Sequence, residues 1–157
     1  MKETDAITAL IALSDHCFAY ALVNGTVGVY QKRTRLWRVK VIYDTFKNQL
    51  DYEYFNFKTQ SKNQIVALSA YDVDNDGELE LICAWSHGRF DARHWQTGEV
   101  VFKEKLEPTG PIAKERASIA ALAVEDWLKL GHPQLIVCTR LGQRKCFLKH
   151  NYIFITN

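Results

Sequence analysis

The stretch Tyr71-Asp72-Val73-Asp74-Asn75-Asp76-Gly77-Glu78-Leu79-Glu80-Leu81 decides how this chain folds. Its acids fall at loop positions 1, 3, 5 and 9 (Asp72, Asp74, Asp76 and Glu80), with Gly77 at position 6, where the backbone must turn sharply. Oxygen donors at that spacing form a cage for a hard cation such as calcium. A helix–loop–helix calcium site would put a bidentate Glu at position 12, where this chain has Cys83, and would place a helix on each side. The flanks are instead Ile65–Tyr71 and Leu79–Trp85, short runs rich in β-branched and aromatic residues that read as strands. The acidic loop therefore sits in a β-hairpin.

Working outward, the same pattern recurs. Ala67–Arg89 aligns without a gap on Ala121–Gln143, setting Asp72 on Asp126, Gly77 on Gly131, Leu81-Ile82 on Leu135-Ile136 and Gly88 on Gly142. A third, partial copy places Phe18–Lys40 over Leu81–Lys103, with Asn24-Gly25 on His87-Gly88 and Leu36–Lys40 on Glu99–Lys103. The middle copy reads as strand Ile65–Tyr71, the acidic loop, strand Leu79–Trp85, a turn at Ser86-His87-Gly88, and strand Arg89–His94. A second turn at Gln96-Thr97-Gly98 leads to strand Glu99–Glu104. Asn-Gly, His-Gly and Thr-Gly supply the positive φ that tight hairpins need. Four antiparallel strands in about 40 residues make one blade of a β-propeller, and acidic loops of this kind recur in integrin-type blades.

The chain is expected to be all-β, an incomplete propeller of about two and a half four-stranded antiparallel blades with an integrin-like acidic loop. The blades fall near 1–40, 61–106 and 117–142, a partial propeller over 1–142. One local conflict stands in the way. Ile112–Leu130 is rich in Ala, Glu, Lys and Leu, with Gly131 as a stop, and propensity alone predicts a helix there. The gap-free repeat register predicts a strand at Ser118–Val124 instead, and the register is preferred.

Two stretches do not fit the blades. Residues 41–60 (VIYDTFKNQLDYEYFNFKTQ) are dense in Tyr and Phe with no period of 2 or 3.6. Valine codons begin with GT and glutamine can be CAG, so this block has the ends of a retained intron read in frame. Its bias toward Phe, Tyr, Asn, Lys and Ile fits AT-rich DNA. The tail, 143–157, shares that bias through Lys145–Asn157 and falls where the third hairpin should continue. Both are expected to be non-native, an insertion and a tail; a genuine loop is the alternative. With two blade faces open, the chain alone is expected to aggregate.

Composition excludes several classes. The 47% hydrophobic and 24% charged fractions of the 157 residues are those of a globular chain. A net charge of +2 gives no field for nucleic acid or an anionic membrane. The basic groups at Lys32, Arg33, Arg35 and at Arg140, Arg144, Lys145 read as solvated hairpin tips. Cys17, Cys83, Cys138 and Cys146 show no ligand spacing and read as buried reduced thiols of an intracellular protein. No apolar run approaches the ~18 residues that span a bilayer, and the run Ile7–Leu13 is a poor signal peptide.

The metal reading of Asp72, Asp74, Asp76 and Glu80 competes with a solvated turn that keeps Asp and Gly for their backbone preferences. Three alternating Asp repel one another unless a cation neutralises them. In the copy at Asp126–Gln134, however, Leu128 and Leu130 replace the second and third acids, so a blade can be built without metal. Catalysis has no support: His16, His87, His94, His132 and His150 lack ligand spacing, and no nucleophile elbow is present. Trp37, Trp85, Trp95 and Trp127 are expected to be buried between blades rather than to anchor an interface.

Several runs also carry a family resemblance. They are Tyr20-Ala21-Leu22-Val23-Asn24-Gly25-Thr26-Val27-Gly28-Val29-Tyr30, Trp37-Arg38-Val39-Lys40, Ser61-Lys62-Asn63, Asp72–Leu81 and Trp85-Ser86-His87-Gly88. Further on come Asp91-Ala92-Arg93, Thr97-Gly98-Glu99-Val100-Val101-Phe102-Lys103 and Gly131-His132-Pro133-Gln134-Leu135-Ile136. Over Phe18–Lys40 and Ser61–Gly142 the chain resembles the Bardet–Biedl syndrome 2 family, core subunits of the ciliary BBSome. The resemblance implies part of an N-terminal β-propeller, with Lys40 and Ser61 near neighbours in the family. It implies a non-enzymatic role in a coat-like adaptor complex that carries membrane proteins to and from cilia. Other BBSome subunits are the implied partners, the membrane is reached only through the complex, and no nucleic acid or small-molecule substrate is expected. The implied location is cytoplasm and cilium, including the ciliary membrane, basal body and centriolar satellites. The alternatives are a calcium-binding, integrin-like adhesion propeller or a general protein-interaction propeller; a propeller enzyme would need polar residues converging on a central channel.

Overall fold

The computed structural model describes residues 3, 5–14, 16–40, 64–106, 118–140, 144–148 and 151–155. Twelve strands lie among them: β1 (Ile7–Ser14), β2 (Cys17–Leu22), β3 (Thr26–Gln31), β4 (Thr34–Lys40), β5 (Ile65–Tyr71) and β6 (Glu80–Trp85). They continue with β7 (Arg89–His94), β8 (Val100–Lys105), β9 (Ile119–Glu125), β10 (Gln134–Thr139), β11 (Arg144–Leu148) and β12 (Asn151–Ile155). These strands form three four-stranded sheets, each joining its strands in chain order and antiparallel throughout. Among the described residues no helix is long and apolar enough to cross a membrane.

The turns are set by local chemistry. Gly25, Gly88 and Gly98 have φ of 80°, 83° and 77°, the left-handed region that a Cβ disfavours. In the segment where propensity favours helix, β9 is a strand paired with β10 along its length. Helix propensity is a weak prior worth tenths of a kcal/mol per residue, and an adjacent strand with an open hydrogen-bonding edge overrides it.

The internal repeat is reproduced in the pairing register. Tyr71↔Glu80 and Leu68↔Cys83 in the second sheet recur as Glu125↔Gln134 and Leu122↔Val137 in the third. Even the bulge recurs, between Ile65 and Ala67 in one sheet and opposite Cys138/Thr139 in the other. The first copy is slightly displaced from its expected alignment. Gln31↔Thr34 closes a two-residue turn, whereas the His94 N–H donates to Glu99 O across the longer turn Trp95–Gly98. Leu36–Lys40 therefore lies over Val101–Lys105 and not over Glu99–Lys103: Gly28↔Arg38 matches Asp91↔Lys103.

A second correction concerns the third blade, expected to be half-formed and to stop at 142. β11 pairs with β10 through Leu135↔Phe147 and Ile136↔Cys146, and β12 pairs with β11, so the sheet has four strands. The Phe, Tyr and Ile of this segment suit a pleated strand, and β10 offers an edge to pair with. Residues 41–60, the expected insertion, lie outside the described residues.

The core sits between sheets. β6 is buried at all six positions because the middle blade is covered on both faces. Leu81, Cys83 and Trp85 cluster with Ala19, Ala21, Val27, Val29 and Ile65 between the first and second sheets. Ile82 and Ala84, on the opposite face, join Phe90, Ala92, Ile119, Leu135 and Val137 between the second and third. Each large side chain so buried contributes about 1.5–3 kcal/mol.

One ion pair is set into this core. Asp91 and Arg93, on β7, are 2% and 7% exposed, with Nη2 to Oδ2 at 2.8 Å. The Arg93 Nη1 also donates to Gly98 O at 3.0 Å, tying the pair to the β7–β8 turn. Burial, then the nearby Asp91 carboxylate, pushes the Cys83 thiol well above its usual range. The four cysteines are free, three of them buried.

Candidate functional site

The loop between β5 and β6 is built by its own backbone. Asn75 and Gly77 take φ of 66° and 91°, and a Cβ at Gly77 would meet nothing within 4 Å, so the angle and not crowding selects glycine there. The Asp72 Oδ1 accepts the Asn75 N–H at 2.6 Å, and the Glu80 Oε2, reaching back from β6, accepts the Val73 N–H at 2.8 Å. These bonds fold the carboxylates inward: one oxygen from each of Asp72, Asp74 and Glu80 lies within 4.8 Å of the others.

Three of the four expected ligands are thus brought together. The fourth, Asp76, stands outside the group; its Oδ1 accepts the Glu78 N–H at 2.7 Å. Glu80 is 1% exposed and its carboxyl is raised above the usual carboxylate range, chiefly by burial and further by Asp74, Asp76 and Asp72. The donor set is hard oxygen at a spacing one cation could bridge, so the residues fit a calcium-type ion, with remaining ligands to come from carbonyls or water.

The twin loop between β9 and β10 shows what the first one lacks. Lys129 and Gly131 repeat the positive φ of Asn75 and Gly77, at 54° and 81°. The Asp126 carboxylate accepts Leu130 N–H and Gly131 N–H, each at 2.8 Å. At the position of Glu80 stands Gln134, whose Nε2 donates to Asp126 Oδ1 at 3.1 Å and whose Oε1 accepts Leu128 N–H at 3.1 Å. That amide bond is the first cause holding the Asp126 carboxyl below its usual range. Where one loop opposes carboxylate with amide, the other opposes it with carboxylate.

The acidic loop is linked to the first blade indirectly, through Trp95 of its own blade. The Trp95 Nε1–H donates to Glu78 Oε2 at 3.3 Å, and the Trp37 Nε1–H, from the first sheet, donates to Trp95 O at 2.7 Å. Of the four tryptophans, Trp85 is fully buried and Trp37 and Trp95 are half-buried, but Trp127 is 41% exposed, contrary to the expectation of burial. It sits on the twin loop, and strand periodicity carries no signal for a loop tip. Arg35 is likewise more than a solvated tip: it pairs with Glu3 at 3.0 Å and lies over the Tyr30 ring, 5.4 Å from its centroid.

The profile of the family described as ciliary BBSome complex subunit 2, middle region, matches residues 1–93. This chain belongs to that family. It is 36% identical over 148 residues to the BBSome complex member BBS2 of Rattus norvegicus and equally to that of Homo sapiens, covering 94% of this chain and 16% of each relative. The Caenorhabditis elegans BBSome complex member bbs-2 is 29% identical over 106 residues, 68% of this chain and 12% of its own. The chain thus spans about a sixth of the relatives it matches. Among solved structures, BBS1N in complex with ARL6DN superposes with a TM-score of 0.61 at 15% identity, over 90% of this chain and 36% of that one. The WD40 β-propeller domain of Doa1 gives 0.59 at 12%, over 98% and 42%. At such identities the likeness concerns fold, and the fold of this BBSome subunit 2 family member is that of propeller blades.

Proposed function

We propose that this chain is part of a non-enzymatic subunit of the BBSome, acting within a coat-like adaptor that carries membrane proteins to and from cilia. The observation that carries the reading is the 36% identity to BBSome complex members across 94% of the chain. Blades suit such a role because sheets packed face to face leave their rims and outer strands free for partner proteins. On this reading the partners are other BBSome subunits, the membrane is approached only through them, and the protein resides in cytoplasm and cilium. The test is co-purification with the full-length chain. Recovery of other BBSome subunits is expected; recovery of none would return the field to an adhesion or general interaction propeller.

A second reading concerns the acidic loop, integrin-like in its spacing, as a structural calcium site held by Asp72, Asp74 and Glu80, with Asp76 in reserve. It is favoured by the contrast with the twin loop, where the Gln134 amide supplies the positive pole that three clustered carboxylates lack. Calorimetry on a complete propeller tests it: one site, on the order of 10⁻⁵ to 10⁻³ M, lost in Asp74→Ala. Unchanged heats in that variant would end the assignment.

A further inference from the structure

The face of the first sheet turned away from the second carries a cluster of its own. Ala19, Ala21, Val27 and Val29 pack toward the second sheet, so the alternate residues Tyr20, Leu22 and Tyr30 pack together on the other side. Tyr30 stacks on both Phe18 and Tyr20, each ring centroid 5.4 Å from that of Tyr30. Gly28, paired with Tyr20 across the ladder, leaves room for that ring: a Cβ there would stand 2.7 Å from the Tyr20 Oη.

The polar ends of these rings converge on one carboxylate. Tyr30 donates its hydroxyl to Glu3 Oε1 at 2.6 Å, and the Arg35 Nη2 donates to the same oxygen at 3.0 Å. Arg35 Nε and Nη2 also donate to the Tyr30 hydroxyl, at 3.1 and 2.9 Å, which turns the phenol proton toward Glu3. The Arg38 Nη1 stands 3.8 Å from Glu3 Oε2. The Tyr20 hydroxyl is buried and makes no hydrogen bond among the described residues, and neither does Glu3 Oε2. Burial, then the charge of Glu3 beside it, pushes the Tyr20 phenol up to about 12.

The second sheet shows why a carboxylate belongs there. In the alignment of the first blade on the second, Tyr20, Gly28 and Tyr30 fall on Cys83, Asp91 and Arg93, and the ladders agree, Tyr20↔Gly28 repeating Cys83↔Asp91. At that spot the second sheet buries a carboxylate of its own strand, Asp91, against a guanidinium. The first sheet has glycine in its place, and the carboxylate comes from outside the sheet, on the segment leading into β1.

We propose that Tyr20, Tyr30, Arg35 and Arg38 form a receptor site for a single carboxylate, that Glu3 is its ligand, and that the pairing keys the segment leading into β1 onto the first blade. The ligand class follows from the occupants, since a carboxylate stands at this spot in both sheets, and from the planar fork of the arginine that meets it. The site needs no exposed face, because its ligand belongs to this chain.

The test uses the full-length protein with Glu3→Ala, which takes the ligand from its receptor. It is read by hydrogen exchange of β3 and β4 and by the tyrosine ultraviolet difference spectrum. Amide exchange between Tyr30 and Arg35 should speed by about tenfold, the scale of a lost hydrogen bond to a charged group, and the tyrosine band should shift. Sodium acetate should restore both, while sodium chloride or phosphate at equal ionic strength should not. Tyr20→Phe/Tyr30→Phe in the same background keeps the stacked rings and should abolish the rescue. Should Glu3→Ala fail to fold, Glu3→Gln keeps the shape of the side chain and should speed exchange in the same direction. Wild-type exchange in Glu3→Ala or Glu3→Gln, no response to acetate, equal rescue by chloride or phosphate, or rescue undiminished in the double phenylalanine variant would each overturn the proposal.

Discussion

The Trp37 indole lies against Gly98 of the neighbouring blade so closely that a Cβ built on that glycine would stand 2.7 Å from ring atom Cδ2. Gly98 also holds φ at +77°, so alanine there meets both backbone strain and a ring that cannot yield without giving up its bond to Trp95 O. Gly98→Ala is expected to cost about 2–4 kcal/mol, the sum of a left-handed penalty and overpacking. Trp37→Phe, which keeps an aromatic ring but removes the N–H donor and part of the indole packed on Gly98, should cost about 1–3 kcal/mol. Hydrogen exchange of β4 and the Trp95–Gly98 turn in the full-length protein measures both; wild-type protection in Gly98→Ala would refute the contact.

Glu80→Gln copies the twin loop and should stabilise the calcium-free protein. The sign follows from the raised carboxyl: a buried acid whose pKa goes up on folding weakens the fold at pH values above its unfolded pKa. That penalty is relieved as pH falls through the folded pKa. A neutral amide removes the penalty and can donate to Asp72 as Gln134 does to Asp126. Thermal melts in chelator should therefore rise at neutral pH and converge with wild type in acid, while the response to added calcium disappears. A lower melting temperature in chelator would show that Glu80 is already satisfied.

His87 gives a pH dependence of the ordinary direction for a buried imidazole. Burial, then the charges of Arg89 and Lys105, pull its pKa down to about 4 from the usual range near 6.5. The unfolded chain takes up a proton that the fold refuses, so this contribution to stability is complete above pH 6.5 and is lost as pH falls toward 4. Between pH 6.5 and 5, before most carboxylates titrate, His87→Asn should flatten the fall in melting temperature. An unchanged slope would place the imidazole in water.

The buried Asp91–Arg93 pair predicts asymmetric costs. Removing either partner strands the other charge, and Asp91→Ala or Arg93→Ala should each cost about 3–5 kcal/mol, far more than a surface ion pair. Replacing both with apolar residues of similar volume should cost less than either single change. Additive losses in that double-mutant cycle would deny the coupling.

Residues 41–60 carry a prediction at the level of message. If the block is retained intron, the dominant transcript joins the codons of Lys40 and Ser61 directly, as the family resemblance implies. A dominant spliced transcript that still encodes the block would make it a loop of the protein.

The blades were legible because their information is local and repeated. β5 and β7 end where the residue pattern places them, and the register of the second and third sheets follows from the gap-free alignment. The slip in β4 was not legible, because a strand alignment does not register that one turn has two residues and the next has four. The third blade's last strands were hidden for a different reason: Lys145–Asn157 read as biased DNA, although the same Phe, Tyr and Ile are good strand formers. At the site, spacing alone brought Asp72, Asp74 and Glu80 together. The departure of Asp76 depends on a hydrogen bond to Glu78, and the exposure of Trp127 on where a hairpin ends, neither of which has a periodic signature.

The twin loops, finally, bear on how little of a hairpin's sequence its bend requires. The bend is held in both loops by Asn75 or Lys129, by Gly77 or Gly131, and by the first aspartate, while in the first loop Asp74 and Asp76 add bonds to the Asp76 and Glu78 N–H groups that Leu128 and Leu130 cannot make in the second. Of the nine aligned positions, Asp72–Glu80 and Asp126–Gln134 share only the first aspartate and the glycine, and the other seven differ. One aspartate and one glycine thus suffice to keep the same bend in two loops whose other side chains have almost nothing in common.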